Sequence, residues 1–133
     1  MAERGSGQDQ GGVSTDSVPV SPSRLKLLFV CSRNRRSLTA ERIYEGSPRY
    51  DARSAGTQPE ARVPLTPGLL RWADVVFFME RSHLNRASLR FAEALEGRRV
   101  VILHIRDEFE FMDPALVEEL ETKVAAELEG EAE

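Results

Sequence analysis

Residues 25–37 read LKLLFVCSRNRRS, an apolar run followed at once by a short basic loop. The run from Leu25 to Val30 has the length and composition of a strand that is buried on both faces, as strands of parallel sheets are. Cys31 ends the run, and polar residues to Ser37 separate it from a segment with helical character at about Leu38–Tyr44. Strand, short loop and helix in this order form the first unit of an α/β fold.

The rest of the chain repeats this alternation of strand and helix. It is predicted to form strands at Tyr50–Ala55, Asp74–Met79 and Val100–Ile105, and helices at Pro64–Trp72, from Ser82 or Asn85 to Leu95, and from Pro114 to about Leu128 with Asp113 as N-cap. The alternation predicts an α/β sandwich built on a parallel sheet. Ligands of such sheets bind beyond the carboxyl ends of the strands, and Cys31 lies at one of these ends.

The composition indicates one globular domain with a tail. The chain has 133 residues, 41% of them hydrophobic, which is enough for one buried core. Residues 1–23 are rich in Gly, Ser and Gln and are predicted to be a disordered N-terminal tail, 24–128 the α/β domain, and 129–133 an acidic C-terminal tail. No apolar run approaches the ~20 residues that cross a bilayer, and the N-terminus lacks an apolar signal segment. We therefore expect a cytoplasmic protein without a membrane partner.

The single cysteine excludes an internal disulfide and a Cys-x-x-Cys zinc or redox pair.

The net charge is −4, yet Arg33, Arg35 and Arg36 lie within four residues of one another. Loop amides and a helix N-terminus form an anion site there, and the same field favours the nucleophilic thiolate of Cys31. Since a guanidinium binds two oxyanion oxygens at once, these residues suggest a phosphate attacked by Cys31. The alternative is that Cys31 is a small apolar core residue.

Five segments, in order across about residues 25 to 125, carry a resemblance to a known family. They are Leu28–Asn34, Arg36–Glu41, Ser54–Thr57, Trp72–Glu80 with His83, and Asp107–Pro114. The chain resembles the low-molecular-weight protein tyrosine phosphatases, and among them a bacterial branch often called predicted protein tyrosine phosphatases. The resemblance implies a three-layer α/β sandwich with a four-stranded parallel sheet of Rossmann-like topology, flanked by helices. It implies no metal and no organic cofactor.

The resemblance also implies a role for single residues. Cys31 would attack phosphorus, and Arg36 would bind the equatorial phosphoryl oxygens and stabilise the transition state. Asp107 would protonate the leaving oxygen and then activate water. Amides of the loop would bind the phosphate, and Ser37 would hydrogen-bond the thiolate. The loop residues are Ser32, Arg33, Asn34, Arg35 and Ser37. The supporting residues are Ser54, His104, Phe109 and Asp113. Of these, Ser54 would hold the loop's shape together with Asn34.

Several of these assignments have alternatives. The family's general acid stands in an Asp-Pro-aromatic motif, but Asp113-Pro114 is followed by alanine, whereas Asp107 has an aromatic residue two positions on. We prefer Asp107 because Asp113 is well placed as an N-cap. Phe109 and Phe111 would either line the pocket or pack against the last helix. His104, at the end of a strand, would either face the site or be structural.

The loop is one residue shorter than the family signature of Cys, five residues and Arg, because four residues separate Cys31 from Arg36. The deletion removes one amide and displaces the chain by about 3.8 Å. One outcome is that the first helix begins a residue earlier and keeps Arg36 in place. In a second, Arg35 or Arg33 takes over its role. In a third, the loop accommodates a different phosphoester, such as a diester.

The resulting expectation is a phosphotyrosine or aryl phosphate monoesterase with a phosphocysteine intermediate. A phosphodiesterase on the same fold and a catalytically silent phosphate-binding module are the alternatives. The phosphorylated partner would be a small molecule, a phosphoprotein or a nucleotide-like compound. Nucleic-acid binding is disfavoured because the basic patch is small and the protein acidic. Two histidines far apart in sequence make a weak case for a metal site.

Overall fold

Four strands and four helices alternate along residues 24–132, the part of the chain that the computed structural model describes. The strands are β1 (Leu25–Cys31), β2 (Tyr50–Gly56), β3 (Val75–Phe78) and β4 (Arg99–Ile102). The helices are α1 (Arg36–Ile43), α2 (Pro67–Trp72), α3 (Arg81–Leu95) and α4 (Pro114–Ala132). The predicted tail at residues 1–23 lies outside the described residues.

The strands form one sheet in the order β2-β1-β3-β4, and every neighbouring pair is parallel. Side chains of β1 alternate between the two faces, as the twofold period of a strand requires. Leu27 and Phe29 pack against α1 and α4, whereas Leu28 and Val30 pack against α2 and α3. The predicted three-layer sandwich with a four-stranded parallel sheet is therefore confirmed.

The strand order positions the functional site. The chain passes from β1 to β2 on one side of it and then to β3 on its other side, so the order of strands reverses at β1. Connections leave the carboxyl ends of β1 and β3 toward opposite faces of the sheet, since α1 and α3 lie on opposite faces. A crevice opens at such a reversal, and Cys31 ends the strand beside it.

Four predicted boundaries differ from the structure. Helix α1 begins at Arg36, not Leu38. Helix α2 begins at Pro67, not Pro64, because Pro64 forms a β-bridge with Gly56 and the Thr66 hydroxyl accepts a hydrogen bond from Leu69 N at 3.2 Å.

Strand β4 ends at Ile102, not Ile105, because His104 adopts the left-handed region with φ 57° and breaks the extended chain. Helix α4 continues to Ala132, past the predicted end at Leu128, so residues 129–132 of the expected acidic tail are helical. Within residues 24–132, none of the helices combines the length and the apolar character needed to cross a membrane.

Candidate functional site

The loop after β1 wraps around the Cys31 thiol, which is 1% exposed. The main-chain N–H of Asn34 donates to Sγ at 3.1 Å, and the Ser37 hydroxyl oxygen lies 3.2 Å from Sγ. Asn34 turns the chain back toward the sulfur with φ 71°, a left-handed conformation that asparagine tolerates better than most residues. The loop therefore directs one main-chain donor at the sulfur.

Ser37 lies at the centre of this arrangement. The Asn34 side-chain amide donates to its hydroxyl oxygen at 2.7 Å, and the hydroxyl donates to the carbonyl of Ala55 on β2 at 3.1 Å. Asn34 and Ser37 are almost fully buried behind the thiol. Despite the missing residue, the loop thus keeps its asparagine, serine and cysteine in mutual contact.

The loop backbone is fastened to the segment that follows β2. Ser32 O accepts from Gln58 N at 3.0 Å, and Cys31 O accepts from Thr57 N at 2.8 Å. Gly56 allows this close approach, since a Cβ there would lie 2.5 Å from Ser32 O and 2.9 Å from Asn34 N. A side chain at Gly56 would displace backbone atoms rather than a flexible side chain.

Arg36, the first residue of α1, is 2% exposed and held by two neighbouring segments. Its Nη1 donates to the Glu80 carboxylate at 2.6 Å and to the carbonyl of Ile105 at 2.7 Å. Its Nε lies 3.7 Å from the carboxylate of Asp107. The loops after β3 and β4 therefore fix the guanidinium at the end of the loop that follows β1.

His83 holds the backbone of Glu80 by a hydrogen bond. Its Nδ1 accepts a hydrogen bond from Glu80 N at 3.1 Å, so this nitrogen carries no proton. Burial, followed by the charge of Arg36, lowers the pKa of His83 from 6.5 to about 4. The imidazole is therefore neutral at pH 7 and adds no charge beside Arg36.

Two cavities lie at this edge of the sheet. The smaller, of about 310 Å³, is lined by Cys31, Ser32, Arg33, Arg35, Arg36, Gln58 and Asp107. The larger, of about 580 Å³, is lined by Arg33, Asn34, Arg35, Leu38, Glu60, Arg62, Phe109, Glu110 and Phe111. Because Arg33 and Arg35 line both cavities, the two adjoin at these residues.

The structure brings Cys31, Arg36 and Asp107 together at the smaller cavity. Phe109 and Phe111 line the larger cavity, and Phe109 also packs against the core. Neither Gln58 nor Glu80 was assigned a role from sequence. The spacing of Glu80 and His83, at the start of a helix and three residues apart, is the capping-box spacing and was the available signal for Glu80.

Three predicted supporting residues do not line either cavity. Ser54 donates to the carboxylate of Glu41 on α1 at 2.5 Å, so it joins β2 to the helix rather than to the loop. His104 is exposed, and its carbonyl accepts from Lys123 Nζ at 3.0 Å. Asp113 caps α4 by accepting from Ala115 N at 2.9 Å. Asp107, not Asp113, thus lies near the thiol.

Among the residues that the structure describes, no group of three or more His, Cys, Asp or Glu side chains is arranged to hold a metal ion.

Comparison with solved structures finds proteins of similar architecture. The tyrosine phosphatase Wzb from Escherichia coli K30, solved in complex with phosphate, superposes with a TM-score of 0.61 at 20% identity over 81% of this chain and 99% of its own. The YwlE arginine phosphatase from Geobacillus stearothermophilus gives 0.61 at 24% identity over 80% and 94%. A low-molecular-weight protein tyrosine phosphatase from T. tengcongensis gives 0.57 at 19% identity over 74% and 92%.

No protein-family model and no curated protein matches the sequence. The likeness is therefore one of structure, and it rests on the parallel sheet, its strand order and the flanking helices. On this evidence, the chain has the fold of the low-molecular-weight protein tyrosine phosphatases.

Proposed function

We propose that this protein hydrolyses phosphate monoesters, with Cys31 as the nucleophile and a phosphocysteine as the intermediate. The observation that carries the proposal is the environment of Sγ. It combines a main-chain N–H donor at 3.1 Å, a serine hydroxyl at 3.2 Å and a small cavity lined by three arginines and one aspartate. A thiolate in a basic, partly enclosed site is an activated nucleophile.

In the first step, the Cys31 thiolate forms an S–P bond while the P–O bond to the leaving group breaks. Asp107 in its carboxylic acid form gives its proton to the departing oxygen. In the second step, the Asp107 carboxylate takes a proton from water as the water oxygen attacks phosphorus. The S–P bond breaks, inorganic phosphate leaves, and the thiolate is regenerated with a hydrogen bond from Ser37.

Arg36 stabilises the charge that develops on the phosphoryl oxygens. Its Nη1 is occupied by Glu80 and the Ile105 carbonyl, so the remaining edge of the guanidinium serves the phosphate. The main-chain N–H groups of Arg33 and Arg35 donate to no group in residues 24–132 and complete the set of donors. Glu80 acts as a positioning residue because it touches Arg36 rather than the substrate.

The fold comparison supports this chemistry in general terms. Structures of the same fold are described as tyrosine and arginine phosphatases, and one of them holds phosphate. We extend to this chain only the shared element, the transfer of a phosphoryl group. Because the loop is one residue short, the alternatives are phosphodiester hydrolysis and phosphate binding without turnover. Either result would contradict the proposal.

The test measures hydrolysis of p-nitrophenyl phosphate and bis(p-nitrophenyl) phosphate with a metal chelator present. We expect monoester hydrolysis by the wild type and a loss of about 10³-fold or more in Cys31→Ser. Asp107→Asn is expected to be slow, whereas the matched control Asp113→Asn is expected to retain activity because asparagine is an equally good helix cap.

Hydrolysis of the diester alone would replace the proposal with a phosphodiesterase. Binding of inorganic phosphate without turnover of either ester, in a folded protein, would reduce the site to a binding module. Full activity in Cys31→Ser would remove the nucleophile assignment.

A further inference from the structure

The arginines that join the two cavities carry an inference about the substrate. We propose that the substrate bears a second anionic group beside the scissile phosphate and a planar ring beyond it. This is the chemistry of a nucleoside bisphosphate rather than of a simple aryl phosphate. This inference rests on the proposed function.

Within residues 24–132, no ion pair neutralises the charge of Arg33 or Arg35. Both residues are exposed and line both cavities, and neither guanidinium forms an ion pair or hydrogen bond with another residue in 24–132. Arg36, in contrast, lies within ion-pair distance of Glu80 and Asp107. Like charges held together repel, and an anion bound between them removes that cost while gaining charge-assisted hydrogen bonds.

The position of these arginines determines where the second anion binds. Because Arg33 and Arg35 lie where the cavities adjoin, an anion that they bind lies next to the phosphate at Cys31. An aryl phosphate would place an uncharged ring at this point, and the charges of a phosphotyrosine peptide would lie beyond the ring. Two phosphates on one sugar would place a second anion at this point. Arg62 lines the larger cavity and extends the basic surface in the same direction.

The rest of the larger cavity is suited to a heteroaromatic ring. Leu38, Phe109 and Phe111 form its apolar wall, and Phe111 remains 50% exposed, so its ring is available for stacking. The carboxylates of Glu60 and Glu110 line the same cavity and can accept hydrogen bonds from ring N–H groups. A volume of about 580 Å³ falls within the ~300–1,000 Å³ of ordinary ligand sites.

The test measures binding by titration calorimetry to the full-length Cys31→Ser protein, which on the proposed function does not turn over its ligand. The probes are adenosine 3′,5′-bisphosphate, adenosine 5′-monophosphate and O-phosphotyrosine. We expect the bisphosphate to bind about tenfold or more tightly than either monophosphate, because only it engages the additional guanidiniums. This preference is expected to weaken as the salt concentration is raised.

Variants connect the preference to the residues. Arg33→Gln, Arg35→Gln and Arg62→Gln, each in the Cys31→Ser background, are expected to reduce the bisphosphate preference. Arg71→Gln is the matched control, since Arg71 is exposed on α2 and lines neither cavity. A preference that Arg71→Gln reduces as much as the other three would overturn the inference.

Phosphate release by the wild type separates this inference from the proposed function. Tight bisphosphate binding that depends on Arg33, without release of phosphate from any probe, would refute the proposed hydrolysis and keep the ligand assignment. Release from all three probes with equal affinities would keep the hydrolysis and refute the second anion site. Tighter binding of phosphotyrosine than of the bisphosphate would assign the larger cavity to a peptide or amino acid.

Discussion

At the scale of single residues, Asn34 performs two separable tasks. Its left-handed backbone directs its N–H at the Cys31 sulfur, and its side-chain amide holds the Ser37 hydroxyl at 2.7 Å. The backbone task needs a residue that tolerates φ 71°, and the side-chain task needs a donor. Glycine can perform the first task and not the second, whereas alanine is poorly suited to both.

This separation gives a prediction. Asn34→Ala is expected to lower the free energy of unfolding by about 1–3 kcal/mol, from backbone strain and a lost buried hydrogen bond. Asn34→Gly is expected to recover part of this loss but not the turnover, since Ser37 remains unsupported. Urea denaturation and kcat with p-nitrophenyl phosphate measure the two effects. Equal stability of the two variants would show that the left-handed backbone is not strained.

His83 predicts a pH dependence of stability. Its pKa is lowered from 6.5 to about 4 in the folded protein, so between these values the unfolded chain binds more protons. The contribution of His83 is therefore complete above about pH 6.5 and is lost as the pH falls toward 4, by on the order of 2 kcal/mol.

The measurement is the free energy of unfolding against pH for the wild type, His83→Asn and His104→Asn. Asparagine can still accept the hydrogen bond from Glu80 N, so His83→Asn is expected to flatten the profile between pH 4 and 6.5. His104 is exposed, and its variant is expected to follow the wild type. A steep profile in His83→Asn would assign the effect to carboxylates instead.

At the scale of secondary structure, α1 anchors both ends of the loop that carries Asp107. Arg36 donates to Ile105 O at one end, and the Thr39 hydroxyl accepts from Met112 N at 3.0 Å at the other. Two non-glycine residues of this loop, His104 and Met112, have positive φ. His104 precedes Ile105, and Met112 itself donates to Thr39. The helix that follows Cys31 thus also sets the position of Asp107.

Loss of the Thr39 anchor is expected to impair protonation of the leaving group. Thr39→Val removes the acceptor for Met112 N, whereas Thr39→Ser keeps it. We expect Thr39→Val to slow hydrolysis of phenyl phosphate about tenfold or more and to affect an activated dinitrophenyl ester little, because a good leaving group needs no proton. Equal loss for both esters would indicate general misfolding instead, and Thr39→Ser serves as the control.

The boundaries of these elements show what local sequence can predict. Strands such as β1 and β3 were recognisable because they are apolar runs that a parallel sheet buries on both faces. The start of α1 was not, since Arg35 forms no side-chain cap and Arg36 is fixed by Glu80 and Ile105, residues distant in sequence. Likewise, the sequence around Pro64 is typical of a helix start, but in the structure Pro64 forms a β-bridge with Gly56.

At the scale of the whole molecule, the sheet and the candidate site share their backbone. Gly56 is the last residue of β2, pairs with Cys31 in the sheet register, and faces Ser32 O and Asn34 N. Sequence patterns predicted the architecture because apolar runs mark the buried strands and segments of helical character follow them. They could not predict that the site depends on a glycine, since that requirement arises only when the loop packs against β2.

Gly56→Ala is therefore expected to affect stability and phosphate binding together. The added Cβ would meet backbone atoms at 2.5 Å and 2.9 Å, and overpacking of this kind costs about 1–3 kcal/mol. Gly68→Ala on α2 is the control, because its nearest neighbour would be Thr66 Oγ1 at 3.8 Å. Thermal denaturation with and without inorganic phosphate measures both effects, and a neutral Gly56→Ala would contradict the close packing.

The Ser37 hydroxyl couples the ionisation of one sulfur atom to the hydrogen bonding of the sheet. It has a single hydrogen and two acceptors within reach, the Ala55 carbonyl at 3.1 Å and Cys31 Sγ at 3.2 Å. With a neutral thiol, the S–H can donate to Ser37 while Ser37 donates to Ala55. With a thiolate, rotation about the Cβ–Oγ bond of Ser37 turns its O–H toward sulfur and releases the β2 carbonyl. The carbonyl stretch of an isotope-labelled Ala55 would therefore serve as an infrared reporter of the charge on Cys31.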